Sequence, residues 1–304
     1  MRISNILGIQ HEVRSFVESD RFVSNRLIGI EVEVENAQAL RGTVFKYWNV
    51  IDDSSLRNNG VEILLRQPMC GADLLAALNE LQSIFAECPS INVSERCSVH
   101  VHVDVRDLDH TVVASVLAAY IGVESGLYKL GGKNRYDNIY CPGVTSALEQ
   151  TELMRRVVRG NGGDFASACN EWCKYTGVNL RSIIQRGSIE FRAHEGTLEV
   201  SRIEQWVRVL QRLFVYAELV ADPDAILAHV QEGWEEFAER VFESDAQAVI
   251  GDGVYAEFYK NNLTNLIDVL DSGIWYEPER STSRTGVDGD VDSIIAEINA
   301  LLGD

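Results

Sequence analysis

The chain has 304 residues, 46% hydrophobic and 8% aromatic, with 27 Lys and Arg against 46 Asp and Glu for a formal charge of −19. That apolar content excludes a disordered acidic chain and suffices for a buried core. The acidity excludes non-specific binding to nucleic acid or to an anionic membrane, since both select basic faces.

Charge and cysteine distribution narrow the class further. Residues 1–220 hold 27 acids and 23 bases, net −4, and residues 221–304 hold 19 acids and 4 bases, net −15, so the acidity is a C-terminal property. Cys70, Cys88, Cys97, Cys141, Cys169 and Cys173 form no CxxC pair and no disulfide framework. Cys169 and Cys173, four apart in a helical-looking stretch, read as neighbouring core thiols rather than a metal pair. The first fifteen residues lack the continuous apolar segment of a signal peptide, and the longest apolar run, 112–123, is too short to span a bilayer. A soluble cytoplasmic protein is expected.

In chain order, residues 28–36 alternate strictly and predict a strand with one aliphatic and one carboxylate face. Residues 45–51 predict a second strand, Asp52, Asp53, Ser54 and Ser55 a turn, and residues 60–66 a third strand. Pro68 and Gly71 introduce a helix with Leu74, Leu75, Leu78, Leu81 and Phe85 at helical spacing. A strand over 98–105 and a mostly buried helix over 112–130 follow. Residues 131–178 are irregular and rich in Gly, Asn and Arg, and Arg159 to Asp164 read as a loop or as a lid. From Lys129 to Arg192 the charge is +4, with ten bases against six acids. Residues 187–194 alternate again. Helical patterns then occupy 203–220, a stretch around 235–242, and 255–270. Residues 281–290 have a linker composition and residues 291–304 a short terminal helix. Strands and helices in this order predict an α+β fold, divided as a catalytic domain over 1–220, an acidic helical extension packed on it over 221–280, the linker, and the terminal helix.

The chemistry concentrates on the strands. Glu31, Glu33 and Glu35 lie two apart and project from one strand face at intervals of about 7 Å; alone, such a row equally describes a solvated outer face. His100, His102 and Asp104 share a face opposite three valines, and neutral imidazole on a rigid strand is a good metal ligand. A satisfied polar face is the plainer alternative. Glu190 and Arg192 set a carboxylate and a guanidinium on one face, fit for a metal and a phosphate or for an in-strand ion pair. Glu62 adds another in-strand carboxylate. Hard oxygen donors with imidazole suit Mg²⁺ or Mn²⁺ better than structural zinc.

GIEVEVE, the Asp53-Ser54-Ser55-Leu56 turn followed by Gly60-Val61-Glu62-Ile63, CSVHVHVD and SIEFR occur in the order found in the glutamine synthetase-like carboxylate–amine ligases. The chain most resembles their amidoligase branch, over roughly residues 25–220. The resemblance implies a glutamine synthetase-like antiparallel curved sheet with flanking helices. It implies two or more Mg²⁺ or Mn²⁺ ions on Glu31, Glu33, Glu62, His100 and Glu190. It further implies ATP contacts from His102 and a phosphate contact from Arg192, with Arg135, and after it Lys133 and Arg181, holding phosphate or substrate carboxylate. The extended nucleotide-binding signature of true glutamine synthetases is missing, and the chain is much shorter than theirs.

The residues fit such chemistry on their own terms. A carboxylate acylates an amine only after gaining a leaving group, and an acyl phosphate made from ATP supplies one. Both steps move charge on phosphoryl oxygens that carboxylate-bound cations and a fixed arginine stabilise. Asp53 is a candidate to orient or deprotonate the amine, or simply forms the turn. The expected activity is an ATP-dependent ligase joining a small-molecule or peptide acid to an amine. Phosphotransfer to an amine or guanidino group, and a non-catalytic, metal-stabilised binding protein using the acidic C-terminal helices as a partner surface, remain as alternatives.

Overall fold

The computed structural model describes residues 1–9, 16–132, 135, 138, 141–144, 148–251 and 256–271. The expected linker over 281–290, the terminal helix over 291–304 and Lys133 lie outside these described residues.

Among the described residues six strands form one open sheet: β1 (Ile28–Val34), β2 (Trp48–Asp52), β3 (Val61–Leu65), β4 (Ser98–Asp104), β5 (Val178–Asn179) and β6 (Ser188–Glu195). Their order is β2-β3-β1-β4-β6-β5, with every adjacent pair antiparallel. The alternation read from sequence determines which face is which. Ile28, Ile30, Val32 and Val34 of β1, Val99, Val101 and Val103 of β4, and Ile189 and Phe191 of β6 are buried in the core. The opposite face carries the carboxylates and imidazoles.

The helices among the described residues are α1 (Ile3–Leu7), α2 (Gly71–Glu87), α3 (His110–Gly131), α4 (Leu148–Arg159), α5 (Gly162–Glu171), α6 (Arg181–Arg186), α7 (Val200–Val220), α8 (Pro223–Gln231), α9 (Trp234–Phe242), α10 (Ala246–Ile250) and α11 (Ala256–Asp271). The fold is α+β, as the pattern of elements predicts. Helix α3 is central: it packs on α7, α8, α11 and β6. Among the described residues it alone is long and apolar enough to cross a membrane, and its apolar stretch is buried inside the protein. Two glycines let its neighbours approach: a Cβ on Gly122 would lie 2.9 Å from Phe237 and Val230, and one on Gly126 2.7 Å from Trp234.

Three local departures from the sequence reading have physical causes. The second strand starts at Trp48 rather than Phe45, because the backbone N–H groups of Lys46 and Tyr47 donate to the Glu80 carboxylate of α2 (2.9 and 2.8 Å) instead of joining the ladder. The irregular middle holds two helices. Asn161 accepts from the N–H groups of Gly163 and Asp164, and Asp164 reciprocates on the Asn161 N–H, so the Gly-rich string is the N-terminal cap of α5. Residues 159–164 are thus the α4–α5 corner, where Arg159 forks onto Asp224 (2.7 and 2.5 Å). Thirdly, β6 does not alternate to its end. Val101 pairs with Phe191 but Val99 with His194, a bulge that adds one residue to β6. His194 consequently turns to the core face and stacks near Trp206 of α7, ring centroids 5.5 Å apart, while Arg192 stays on the open face.

Candidate active site

Register brings the polar residues into rows across the open face. Glu33 stands opposite Glu62, Glu31 opposite His100, Gly29 opposite His102, and His102 opposite Glu190. Central strand β4 is buried along its whole length, with His100 and His102 only 3% and 6% exposed. Burial of this kind requires every polar atom to find a partner.

The contacts form a connected network. Glu33 Oε2 accepts from the backbone N–H and hydroxyl of Ser98 (2.8 and 2.6 Å), and that hydroxyl lies 2.7 Å from His100 Nε2. His100 Nδ1 faces Glu31 Oε2 at 3.3 Å and Glu190 Oε1 at 3.6 Å. His102 Nε2 is 3.2 Å from Glu31 Oε1, and its Nδ1 is held by Ser188 and Ser182 (3.2 and 3.3 Å). Glu190 is fixed from both sides, accepting from Asn179 Nδ2 at 2.5 Å and from Arg192 Nη1 at 2.6 Å.

Two groups result whose potential ligand atoms lie within 4.8 Å of one another: Glu31, His100 and Glu190, and Glu33, Glu62 and His100. The electrostatics separate the carboxylates. Burial raises Glu31, but hydrogen bonds and charge from His100 and His102 outweigh it and hold the carboxyl far below its usual range. Burial also raises Glu190, and the charges of His100 and Arg192 bring it down. Glu62 goes the other way: burial, then the neighbouring Glu31, Glu33 and Asp53 carboxylates, push it up to about 8. Three crowded carboxylates with one forced to keep a proton near neutrality are the donor set a divalent cation satisfies. The residues therefore fit Mg²⁺ or Mn²⁺.

The remaining candidates are placed less centrally. Asp53 Oδ1 accepts from the Ser55 N–H at 2.8 Å, an Asx turn, while its charge is felt at Glu62. Arg135 is 2% exposed and donates through Nη2 to the carbonyl of Arg192 at 2.7 Å, so it supports the β6 bulge from beneath. Arg181 begins α6 as an exposed residue, its backbone N–H donating to Asn179 Oδ1. Glu35, third in the carboxylate row, is taken up by Arg57 N–H, Asn58 Nδ2 and Ser94 Oγ, each at 3.1 Å, and ties two loops together.

Sequence reasoning missed Arg186. Its Nη1 donates to Glu31 Oε1 at 3.0 Å and lies 3.2 Å from His102 Nε2. Nothing in the local pattern marks it, since it is an exposed basic residue ending a short helix. Beside it a cavity of about 250 Å³ opens between Gly29, Leu64, Pro68, Arg66 and Arg106. Gly29 leaves room for the imidazole opposite it: a Cβ there would lie 3.3 Å from the His102 Cβ.

The open side of this α+β sheet thus carries a mostly buried row of carboxylates and imidazoles that could hold a cation, beside Arg192, which is pinned to Glu190. The comparison of sequences names the family. Residues 3–214 match the family described as "putative amidoligase enzyme", and the chain belongs to it. It is thereby a member of a family of ligase-type enzymes. No curated protein sequence matches the chain.

Proposed function

We propose that the protein is an ATP-dependent carboxylate–amine ligase that forms an amide or isopeptide bond through an acyl phosphate, using two or more Mg²⁺ or Mn²⁺ ions. The observation that carries this reading is the convergence of Glu31, Glu33, Glu62, His100 and Glu190 on one buried face beside Arg192. Glu31, His100 and Glu190 would hold one ion, and Glu33 with Glu62 would hold another, and such ions supply charge neutralisation at phosphoryl oxygens.

The chain's own groups define the rest. Arg192, pinned to Glu190, offers a fixed guanidinium to an oxyanion, and Arg135 positions it through its carbonyl. His102, braced by two serine hydroxyls, presents Nε2 toward the cavity side, where a nucleotide phosphate belongs. Asp53, whose charge acts on Glu62, would accept a proton from an incoming amine. Lys133 and Arg181 are further candidates for phosphate. The acid and amine are small molecules or peptides, the acidic C-terminal helices are a candidate protein-docking surface, and the working compartment is the cytoplasm.

Incubation with Mg-ATP and panels of acids and amines is expected to release ADP only when both partners are present. ATP neither bound nor consumed across such a panel removes the reading. Glu33→Gln and His100→Ala should each lower kcat/KM on the order of 10³-fold with the circular dichroism spectrum unchanged. Phosphotransfer to an amine is separated by product mass: loss of water between two substrates marks the ligase, and a stable phosphorylated amine marks the kinase.

A further inference from the structure

The geometry points to Arg186 as a displaceable internal cation that gives up Glu31 to a divalent metal ion and then, with Arg66, binds a phosphoryl-type oxyanion in the adjoining cavity, so that metal and oxyanion binding are coupled through one side chain. The inference rests on the metal-dependent reading above and extends it.

Both carboxylate oxygens of Glu31 are occupied. Oε1 is shared by Arg186 Nη1 at 3.0 Å and His102 Nε2 at 3.2 Å, and Oε2 faces His100 Nδ1 at 3.3 Å. A cation bound by Glu31, His100 and Glu190 would sit about 2.1 Å from its oxygen ligands, within a few ångströms of the Arg186 guanidinium. Like charges at that spacing repel, so the ion and the guanidinium compete for the same carboxylate.

Two arginines hold the two carboxylates of this group, and they are not equivalent. Arg192 is 16% exposed and grips Glu190 from a neighbouring strand position, whereas Arg186 is 57% exposed and ends helix α6 at Gly187, a left-handed C-cap. Arg186 can leave its partner for solvent; Arg192 cannot. The cavity beside Arg186 carries three guanidinium side chains, with Glu31 and Asp104 also on its wall. The cavity of about 250 Å³ is bordered by Arg66, Arg106 and Arg186, with Ser188 on its wall. Arg106 is held rigid by a fork onto Asp104 (2.8 and 2.8 Å), and its stem lies over Gly187, 2.5 Å from where a Cβ would be. Arg66 also lines the cavity, its Nε donating to the Phe45 carbonyl at 3.0 Å. A released Arg186 completes a basic rim that a multiply charged oxyanion would bridge.

The test is calorimetric titration of the full chain with Mn²⁺, with and without inorganic sulfate, a tetrahedral dianion that binds Mn²⁺ weakly in water. Arg186→Met removes the competitor, so without sulfate this variant is expected to bind Mn²⁺ about 5- to 30-fold more tightly than the unaltered protein. Sulfate should tighten Mn²⁺ binding to the unaltered protein and leave Arg186→Met unaffected. Arg66→Met should match the unaltered protein with Mn²⁺ alone and show a reduced sulfate effect. Unchanged or weaker Mn²⁺ binding by Arg186→Met, no sulfate effect on the unaltered protein, or a sulfate effect that persists in Arg186→Met overturns the inference. If the unaltered protein binds Mn²⁺ and turns over ATP with acid and amine while Arg186→Met fails these expectations, only this inference falls. If the unaltered protein binds no Mn²⁺, the proposed function falls with it.

Discussion

Glu62 and His194 show how burial sets opposite pH behaviour on the two faces of one sheet. Burial and the carboxylates around Glu62 push it up to about 8. The folded protein then keeps a proton that the unfolded chain has already released, from the ordinary carboxylate range up to about 8. Stability of the metal-free protein therefore falls as pH rises through that window. Thermal melting of Glu62→Gln should lose this slope, and Mn²⁺ binding at pH 7 should release protons, seen as a buffer-dependent binding enthalpy. His194 works in the other sense. Burial draws its imidazole down to about 4 despite the hydrogen bond from Nδ1 to the Glu195 carbonyl. Because the folded state resists protonation, stability is full above about 6.5 and is lost as pH falls toward 4. The loss amounts to about 3 kcal/mol, and His194→Phe should reduce it in melts compared between pH 7 and pH 4.5.

At this scale the sequence exposes ligand types but not their competition. Glu31, Glu33, His100, Glu190 and Arg192 are legible because strict alternation fixes a face before any tertiary contact is known. The difference between Glu33, in a group that could hold a cation, and Glu35, spent on three loop donors, depends on where residues 57, 58 and 94 come to lie, and no local pattern carries that. Arg186 was hidden for the same reason.

Among the elements, the strands were readable and the corners were not. Alternation over 28–36 and 98–105 anticipated β1 and β4 closely, since a buried aliphatic face leaves one register open. The bulge in β6 escapes such reading because it is a property of pairing between strands: the residues still alternate in sequence while the backbone turns His194 to the core. Helix α5 escaped because its start looks like a flexible glycine string. Its stability nonetheless depends on Asn161, whose side chain accepts two N–H groups. Asn161→Ala should cost about 1 kcal/mol in urea unfolding and leave Mn²⁺ affinity unchanged, since α5 contributes nothing to the carboxylate row.

Taken whole, the molecule joins a family-matched body to a C-terminal helical layer that the family match does not reach. The layer is more than an acidic coat. Val230, Phe237 and Val249 are fully buried, and Phe237, Trp234 and Val249 lie directly over Gly122 and Gly126 of the central helix. Termination after residue 221 would strip that cover from α3 and open an apolar surface along its length. Such a truncation is expected to be insoluble or to lack a cooperative melt, whereas Phe237→Ala in the full chain should lower stability by about 3–5 kcal/mol. Of the net charge of −15 over residues 221–304, −9 falls on the described residues 221–251 and 256–271, on helices whose inner faces complete the core.

The burial of β4 on both faces has one more outcome. Its imidazoles lie in the middle of the ladder, flanked by β1 and β6, in the part of a protein whose amides exchange with solvent only on complete opening. The candidate site is then as durable as the whole molecule: heating should erase cation binding and the amide protection of residues 98–104 in a single step, with no earlier softening around the histidines.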